Sequence, residues 1–189
     1  EVFATDINAF WLIDTSVEIR QNVTDIYSMV NNEQFAPYLI AGATGHSIFS
    51  ATHPKMYEYL PMDVEFGKNS YMLESTAFVK RSAYAREAIK WSVLCGLTKE
   101  CMAPTDSELM CRFDEYGRMK NYAYCHRYDQ SAINIILKTM KEKRADWKAV
   151  RNLSFDVFHT NIVVHREDQK GSPLDLPCPA EKLIDSAQI

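Results

Sequence analysis

Short apolar runs alternate along the chain with segments in which apolar residues recur at helical spacing. Runs compatible with strands cover residues 10–13, 38–41, 48–51, 71–79 and 155–165. Segments with helical spacing cover residues 24–30, 54–60, 82–96 and 131–144. This alternation predicts an α/β fold in which a mixed sheet is flanked by helices, because some strands follow one another too closely for crossover helices.

The best-defined helix ends belong to the segment at residues 82–96. Ser82 stands at the position of an N-cap, and Gly96 supplies a stop signal. The next stretch, at residues 98–116, is irregular and contains two cysteines. A long loop has little core of its own, so disulfide bonds would stabilise it.

The composition is that of an ordinary globular protein, with 47% apolar and 24% charged residues among 189. This length suits one domain, which we place at residues 1–165, before a polar, proline-containing tail at residues 166–189. The net charge of −4 argues against a nucleic-acid partner, and we interpret the lysines at residues 138–148 as a solvated helix face. No stretch reaches the roughly 18 apolar residues of a membrane span.

Cysteines and glycosylation sequons bear on the cellular compartment. The chain has five cysteines, namely Cys95, Cys101, Cys111, Cys125 and Cys178, and two sequons that begin at Asn22 and Asn152. The spacings do not fit a paired zinc motif. We therefore predict a secretory-pathway protein with one or two disulfide bonds, with Cys178 as the odd cysteine. The first four cysteines allow three pairings, and a reduced cytosolic protein with buried thiols is the alternative.

A polar cluster lies directly before the apolar face of the helix predicted at residues 131–144. It consists of His126, Arg127, Asp129 and Gln130. The first N–H groups of a helix are unsatisfied and favour anions, so the cluster is a candidate site. The alternative is a helix cap, in which Asp129 or Ser131 bonds N–H groups two or three residues further on.

Two acidic residues stand at positions that suit a site. Asp14 follows the first strand, and ligands of open α/β sheets collect at the carboxyl ends of strands. The alternative for Asp14 is an Asx-turn or a helix cap. Glu74 interrupts the apolar run at residues 71–79, where a charge faces either solvent or a site. His46 and His53 flank a short segment and are weak evidence for a metal pair.

Several motifs resemble an uncharacterised animal family of glycosyltransferase-like proteins of the secretory pathway. The motifs are Trp11-Leu-Ile-Asp-Thr-Ser16, Thr44-Gly-His-Ser-Ile-Phe49, Ala51-Thr-His-Pro-Lys-Met-Tyr57, Lys90-Trp-Ser-Val-Leu-Cys95, Glu100-Cys-Met-Ala-Pro104 and Cys125-His-Arg-Tyr-Asp-Gln-Ser131. The resemblance spans about residues 10–140. It implies the catalytic half of a single-Rossmann-like, nucleotide-sugar-dependent transferase, in which this chain is the carboxyl-terminal part and any membrane anchor lies upstream.

The resemblance also implies roles for individual residues. Asp14 matches the strand-end acid that holds a divalent cation, Mn²⁺ or Mg²⁺, on the diphosphate of the donor. Asp129 and Gln130 match a later motif beside the sugar and acceptor, and Asn134 lies one turn into its helix. The partners would be a nucleotide-sugar donor and a glycan or protein acceptor, in the Golgi lumen or outside the cell.

Glycosyl transfer needs a base for the acceptor hydroxyl if the anomeric centre inverts, and Glu74 and Asp129 are the candidates. His126 and Arg127 are candidates for binding phosphate, and Gln130 and Asn134 complete the substrate-binding set. The usual acidic motif has two carboxylates, whereas the triplet that begins at Asp14 has one.

Three other functions are compatible with the sequence. The first is a transferase-like domain that binds glycans or sugar nucleotides without turning them over, which the single carboxylate favours. The second is a cysteine enzyme that uses Cys125 and His126, although adjacent residues of a strand point to opposite faces. The third is a structural secreted domain, in which a satisfied polar network organises the core.

Overall fold

The computed structural model of the chain describes residues 7–13, 17–19, 38–40, 42–143, 151–152 and 162–164. The strands are β1 (Ala9–Leu12), β2 (Val17–Ile19), β3 (Tyr38–Ile40), β4 (Ala43–Ser47), β5 (Tyr71–Leu73), β6 (Ala77–Lys80), β7 (Arg151–Asn152) and β8 (Ile162–Val164). The α-helices are α1 (Val64–Lys68), α2 (Ala83–Gly96), α3 (Lys99–Met102) and α4 (Tyr128–Lys143). Segments Phe49–Ala51 and Pro54–Glu58 are 3₁₀ helices.

The described strands form three small sheets. Four strands lie in the order β1-β6-β3-β7, in which β6 is antiparallel to β1 and β3, and β7 is parallel to β3. The other two sheets are the antiparallel pairs β2-β8 and β4-β5. The coarse part of the predicted fold class is therefore confirmed, since the described residues form a mixed α/β arrangement of helices and small, mainly antiparallel sheets.

The core lies where α4 packs against α2 and β5. Every residue from 130 to 137 on α4 is buried, including the polar Gln130, Ser131 and Asn134. The predicted cap of α2 is confirmed, since the Ser82 hydroxyl accepts a hydrogen bond from the Ala85 N–H at 3.0 Å. Helix α2 ends at Gly96, as the sequence predicted.

The strand predicted at residues 48–51 is wrong. Residues Phe49–Ala51 form a 3₁₀ helix, and β4 lies just before it. The Ser47 hydroxyl accepts a hydrogen bond from the Ser50 N–H at 3.0 Å, which bends the backbone into a turn. Gly45 is inside β4 with a φ of 80°, where the ladder with β5 is irregular.

The single strand predicted at residues 71–79 is two strands that belong to different sheets. β5 ends at Leu73 and β6 begins at Ala77, so Glu74 lies in the short connection between them. Both strands are largely buried, which explains why the residues on either side of the polar triplet Glu74-Ser75-Thr76 are mostly apolar.

Helix α4 begins at Tyr128, three residues before the predicted start at Ser131. Asp129 and Gln130 are therefore part of its first turn instead of preceding it. The predicted last residue, Arg144, lies outside the described residues.

Two disulfide bonds connect the four clustered cysteines. Cys95 pairs with Cys101, and Cys111 pairs with Cys125. The prediction of one or two disulfide bonds is confirmed, and these bonds are compatible with a secreted or lumenal protein. Within the ranges given above, no helix is long and apolar enough to cross a membrane.

Several predictions fall on residues outside the described ranges. They concern the helix at residues 24–30, the sequon at Asn22, the metal ligand Asp14, the odd cysteine Cys178 and the tail at residues 166–189. Of the strand predicted at residues 155–165, the structure describes only β8. The division into a domain and a tail stays a prediction.

Candidate functional site

Polar side chains of α4 hold the carboxyl end of β5. The Asn134 Oδ1 accepts the Leu73 N–H at 2.8 Å, and its Nδ2 donates to the Leu73 carbonyl at 2.9 Å. The Gln130 Nε2 donates to the same carbonyl at 2.9 Å. Buried backbone groups need partners, and here two side chains supply what a neighbouring strand otherwise would. We call this contact the α4–β5 joint.

Glu74 follows the α4–β5 joint directly and is half-buried. Its N–H donates to the Gly42 carbonyl at 2.9 Å. A Cβ atom at Gly42 would lie 3.9 Å from the Glu74 carboxylate, so this carboxylate lies beside the start of β4. The structure thus brings Glu74 next to Gln130 and Asn134, which are 56 and 60 residues further along the chain.

The remaining polar residues of the cluster occupy the amino-terminal end of α4. Asp129 is exposed, and within the described part of the chain its carboxylate makes no hydrogen bond or ion pair. The Arg127 Nε donates to the Gln130 Oε1 at 3.2 Å, which orients the Gln130 amide toward Leu73. The exposed carboxylate of Asp129 and the half-buried guanidinium of Arg127 therefore lie at the end of α4 that carries the buried amides of the α4–β5 joint.

The alternative in which Asp129 or Ser131 bonds N–H groups further along α4 does not describe the observed hydrogen bonds. The Ser131 hydroxyl accepts the N–H of Arg127, four residues earlier, at 3.2 Å. It also donates to the Ala51 carbonyl at 3.1 Å. Ser131 therefore ties the start of α4 to the 3₁₀ helix at Phe49–Ala51, and Asp129 is not used as a cap.

His126 is fully buried and both of its ring nitrogens are engaged. The Nδ1 accepts the His53 N–H at 3.2 Å, so the neutral ring carries its proton on Nε2. That Nε2 lies 3.1 Å from the Met102 carbonyl, to which it donates. Burial lowers the pKa of His126 to about 4, with a smaller opposing effect of the Met102 carbonyl. The ring is therefore neutral at pH 7, and its predicted contact with substrate stays a prediction.

Cys125 has no free thiol, because it pairs with Cys111. This bond rules out the alternative in which Cys125 is a nucleophile next to His126. His46, one member of the suggested metal pair, is buried and stacks on Phe113 with 4.9 Å between ring centroids. Among the residues that the structure describes, no group of three or more acidic, histidine or cysteine side chains is arranged so that it could bind a metal ion.

Three aromatic side chains, His53, Tyr122 and Tyr124, form what we call the aromatic surface. The Tyr122 and Tyr124 rings lie 5.3 Å apart, and the Tyr122 and His53 rings lie 6.5 Å apart. Tyr124 is 68% exposed and has a φ of 52°. This conformation is rare for a bulky residue, and the next two residues are held by the Cys111–Cys125 disulfide bond and by the two hydrogen bonds of the His126 ring.

In the part of the chain that the structure describes, two cavities lie beside α4. The larger, of about 730 Å³, is lined by Tyr59, Leu60, Pro61, Ala83, Glu87, Trp91, Ile135, Ile136, Thr139 and Met140, and by none of the predicted site residues. The smaller, of about 220 Å³, is lined by Ala43, Asn69, Ser70, Tyr71, Leu73, Asn134, Leu137, Lys138 and Lys141. We call the smaller cavity the lysine pocket. It adjoins the α4–β5 joint, with which it shares Leu73 and Asn134.

Sequence reasoning missed the lysine pocket and the aromatic surface. Lys138 was expected on a solvated helix face but is half-buried. The signal for the pocket was the i, i+3 spacing of Lys138 and Lys141, one and two turns after Asn134 on the same helix. Comparison of the chain with protein-family models, curated proteins and solved structures finds no match.

Proposed function

We propose that this chain is part of a glycosyltransferase-like domain that binds a nucleotide-sugar and transfers its sugar to a glycan or protein hydroxyl. The supporting observation is the α4–β5 joint. It brings Gln130 and Asn134 of the late motif to Leu73, the residue directly before Glu74. A single-Rossmann-like fold and a location in the Golgi lumen belong to the same proposal.

Asp129 is the better of the two candidate bases. Its carboxylate is exposed at the start of α4 and is not occupied by another described side chain. In an inverting transfer it would take the proton of the acceptor hydroxyl as that oxygen bonds to the anomeric carbon. The bond from the anomeric carbon to the diphosphate oxygen breaks, and the nucleoside diphosphate leaves with the electron pair. Glu74, half-buried beside Gly42, is the second candidate.

The resemblance also assigns a divalent cation to Asp14. Asp14 lies outside the described residues, and none of the described residues forms a group that could hold the ion. Asp14 would supply an oxygen ligand, and the ion would stabilise negative charge on the leaving diphosphate. The roles of Asp129 and Glu74 follow from their own positions.

A second candidate function is glycan binding without transfer. The observation that favours it is the aromatic surface, since aromatic rings offer apolar faces on which sugar rings stack. It lies close to the start of α4, because the His53 and His126 rings are 6.4 Å apart and the His126 and Tyr128 rings 5.0 Å apart. Both functions use the same end of the molecule, and they differ in turnover.

A thermal-shift screen of the intact, oxidised protein separates the candidates. We expect one nucleotide-sugar to raise the melting temperature in the presence of Mn²⁺, because a ligand of the folded state stabilises it by mass action. Release of the nucleoside diphosphate, measured with and without acceptor, then reports turnover. Binding without release would favour the second function, and no binding of any donor would contradict the first.

Matched carboxylate variants test the roles of the two acids. We expect Asp129→Asn to lower kcat by at least about a hundredfold while donor binding is kept, since a general base contributes roughly 10²–10⁴ in rate. Glu115→Gln, an exposed residue outside the site, serves as the control and should leave kcat unchanged. Equal kcat values for the wild type, Asp129→Asn and Glu74→Gln would rule out both residues as the base.

A further inference from the structure

The lysine pocket carries two ammonium groups and, among the described residues that line it, no acidic side chain. We infer that it binds the phosphate groups of a phosphate-bearing ligand. We identify the phosphate-bearing ligand as a nucleotide-sugar, bound through its diphosphate, and this identification rests on the proposed function. The preference of the pocket for phosphate does not depend on glycosyl transfer.

Lys138 is half-buried and has no ion-pair partner in the described part of the chain. A buried charge without a counter-ion is costly, so such groups are normally paired. Burial lowers the pKa of Lys138, and the positive charge of Lys141 lowers it further. An anion between the two ammonium groups would remove the repulsion and supply the missing counter-ion.

Neutral and positive groups complete the pocket. Ser70 is only 7% exposed, and its hydroxyl has no hydrogen-bond partner among the described residues. The Lys120 Nζ donates to the Oδ1 of the lining residue Asn69 at 2.7 Å. Phosphate oxygens are strong acceptors, and both hydroxyl and ammonium groups donate to them.

The volume of the lysine pocket indicates which part of a ligand it takes. About 220 Å³ is less than the roughly 300–1,000 Å³ of pockets that enclose a drug-sized molecule. The pocket therefore holds one group, and the rest of the ligand extends beyond it. Glu74 follows the lining residue Leu73, so a ligand anchored here by its phosphates lies beside the candidate site.

The test uses the intact, oxidised protein in EDTA, so that no metal contributes. Inorganic pyrophosphate, UDP, GDP and the nucleosides uridine and guanosine are titrated by calorimetry. We expect pyrophosphate and both diphosphates to bind and both nucleosides not to bind. If pyrophosphate binds as tightly as UDP and GDP, the pocket is assigned to free phosphates. If UDP or GDP binds more tightly than pyrophosphate, the pocket is assigned to nucleotides.

Variants decide whether the lysine pocket is the site of this binding. Lys138→Gln and Lys141→Gln should each weaken pyrophosphate binding roughly tenfold or more, since a hydrogen bond to a charged group contributes about 1.5–3 kcal/mol. Lys99→Gln, an exposed lysine on α3, makes the same charge change elsewhere and should have no effect. Lys141→Glu reverses the charge at an exposed position, where substitutions usually cost little stability, and should abolish binding.

The results separate this inference from the proposed function. Binding of pyrophosphate that Lys138→Gln and Lys141→Glu leave unchanged would overturn the inference, as would no binding at all. If a nucleotide-sugar still binds with Mn²⁺ in those variants, the proposed function stands and only the inference fails. If pyrophosphate binds at the lysines but no nucleotide-sugar does, the inference stands and the proposed function fails.

Discussion

At the scale of single residues, the burial of His126 predicts how the stability of the protein depends on pH. Its ring is buried and neutral, with a pKa of about 4 against about 6.5 in the unfolded chain. At pH values between these two pKa values, the unfolded state binds more protons than the folded state. The stability that the neutral ring contributes is therefore complete above pH 6.5. We expect this stability, on the order of 3 kcal/mol, to be lost as the pH falls from 6.5 to 4.

An NMR titration of the histidine rings measures this pKa directly. The His126 signals should stay constant from pH 8 to about pH 5. The free energy of unfolding of the wild type, measured with urea, should fall as the pH is lowered from 6.5 to 4. In His126→Gln that part of the pH dependence should disappear. A His126 ring that titrates near pH 6.5 would show that it is accessible to solvent, and would favour its predicted role in substrate binding.

The residues of the polar cluster could be found from the sequence, but not the directions of their side chains. Tyr124 and Tyr128 have φ values of 52° and 45°, so the chain turns sharply on both sides of His126. Neither helical nor strand periodicity describes such a segment, because both assume a regular backbone. The burial of His126 and the exposure of Asp129 therefore appear only in the structure.

At the scale of elements, the α4–β5 joint depends on Asn134. Asn134→Ala removes both of its bonds to Leu73 and leaves the Leu73 N–H without a partner in the core. We expect the free energy of unfolding to fall by roughly 2–4 kcal/mol, because a buried N–H group without an acceptor is removed from water and gains no hydrogen bond in return. Urea unfolding at pH 7 measures the change.

Asn121→Ala is the matched control for this prediction. Asn121 is exposed and donates to the Asp114 carboxylate at 2.9 Å, so its loss should cost about 0.5 kcal/mol or less. Unchanged stability of Asn134→Ala together with lost donor binding would mean that Asn134 serves the ligand and not the fold.

Element types were more predictable than their boundaries and partners. The run at residues 71–79 indicated β structure correctly but was predicted as one strand, whereas the polar triplet Glu74-Ser75-Thr76 coincides with the break between β5 and β6. The cap of α2 was predictable because Ser82 acts within four residues of its own position. The α4–β5 joint joins residues 57 and 61 positions apart, and no local signal carries that information.

At the scale of the whole molecule, one disulfide bond constrains the segment that carries Tyr122 and Tyr124 of the aromatic surface. Residues 103–127 have no helix or strand of their own, and the Cys111–Cys125 bond closes a loop within them. A loop of this length loses about 3 kcal/mol of chain entropy in the unfolded state when it is closed. The Cys95–Cys101 bond closes a shorter loop, over a separation of 6 residues against 14.

The two disulfide bonds should contribute unequally to stability, because they close loops of different length. Replacing Cys111 and Cys125 with alanine should lower the free energy of unfolding by about 3 kcal/mol. It should also speed amide hydrogen exchange at residues 103–127, while α2 and α4 keep their protection, because that segment has few other constraints. Replacing Cys95 and Cys101 should cost less and leave exchange near Tyr124 unchanged. Equal exchange in both variants would mean that the bonds of His126, and not the disulfide bond, fix the aromatic surface.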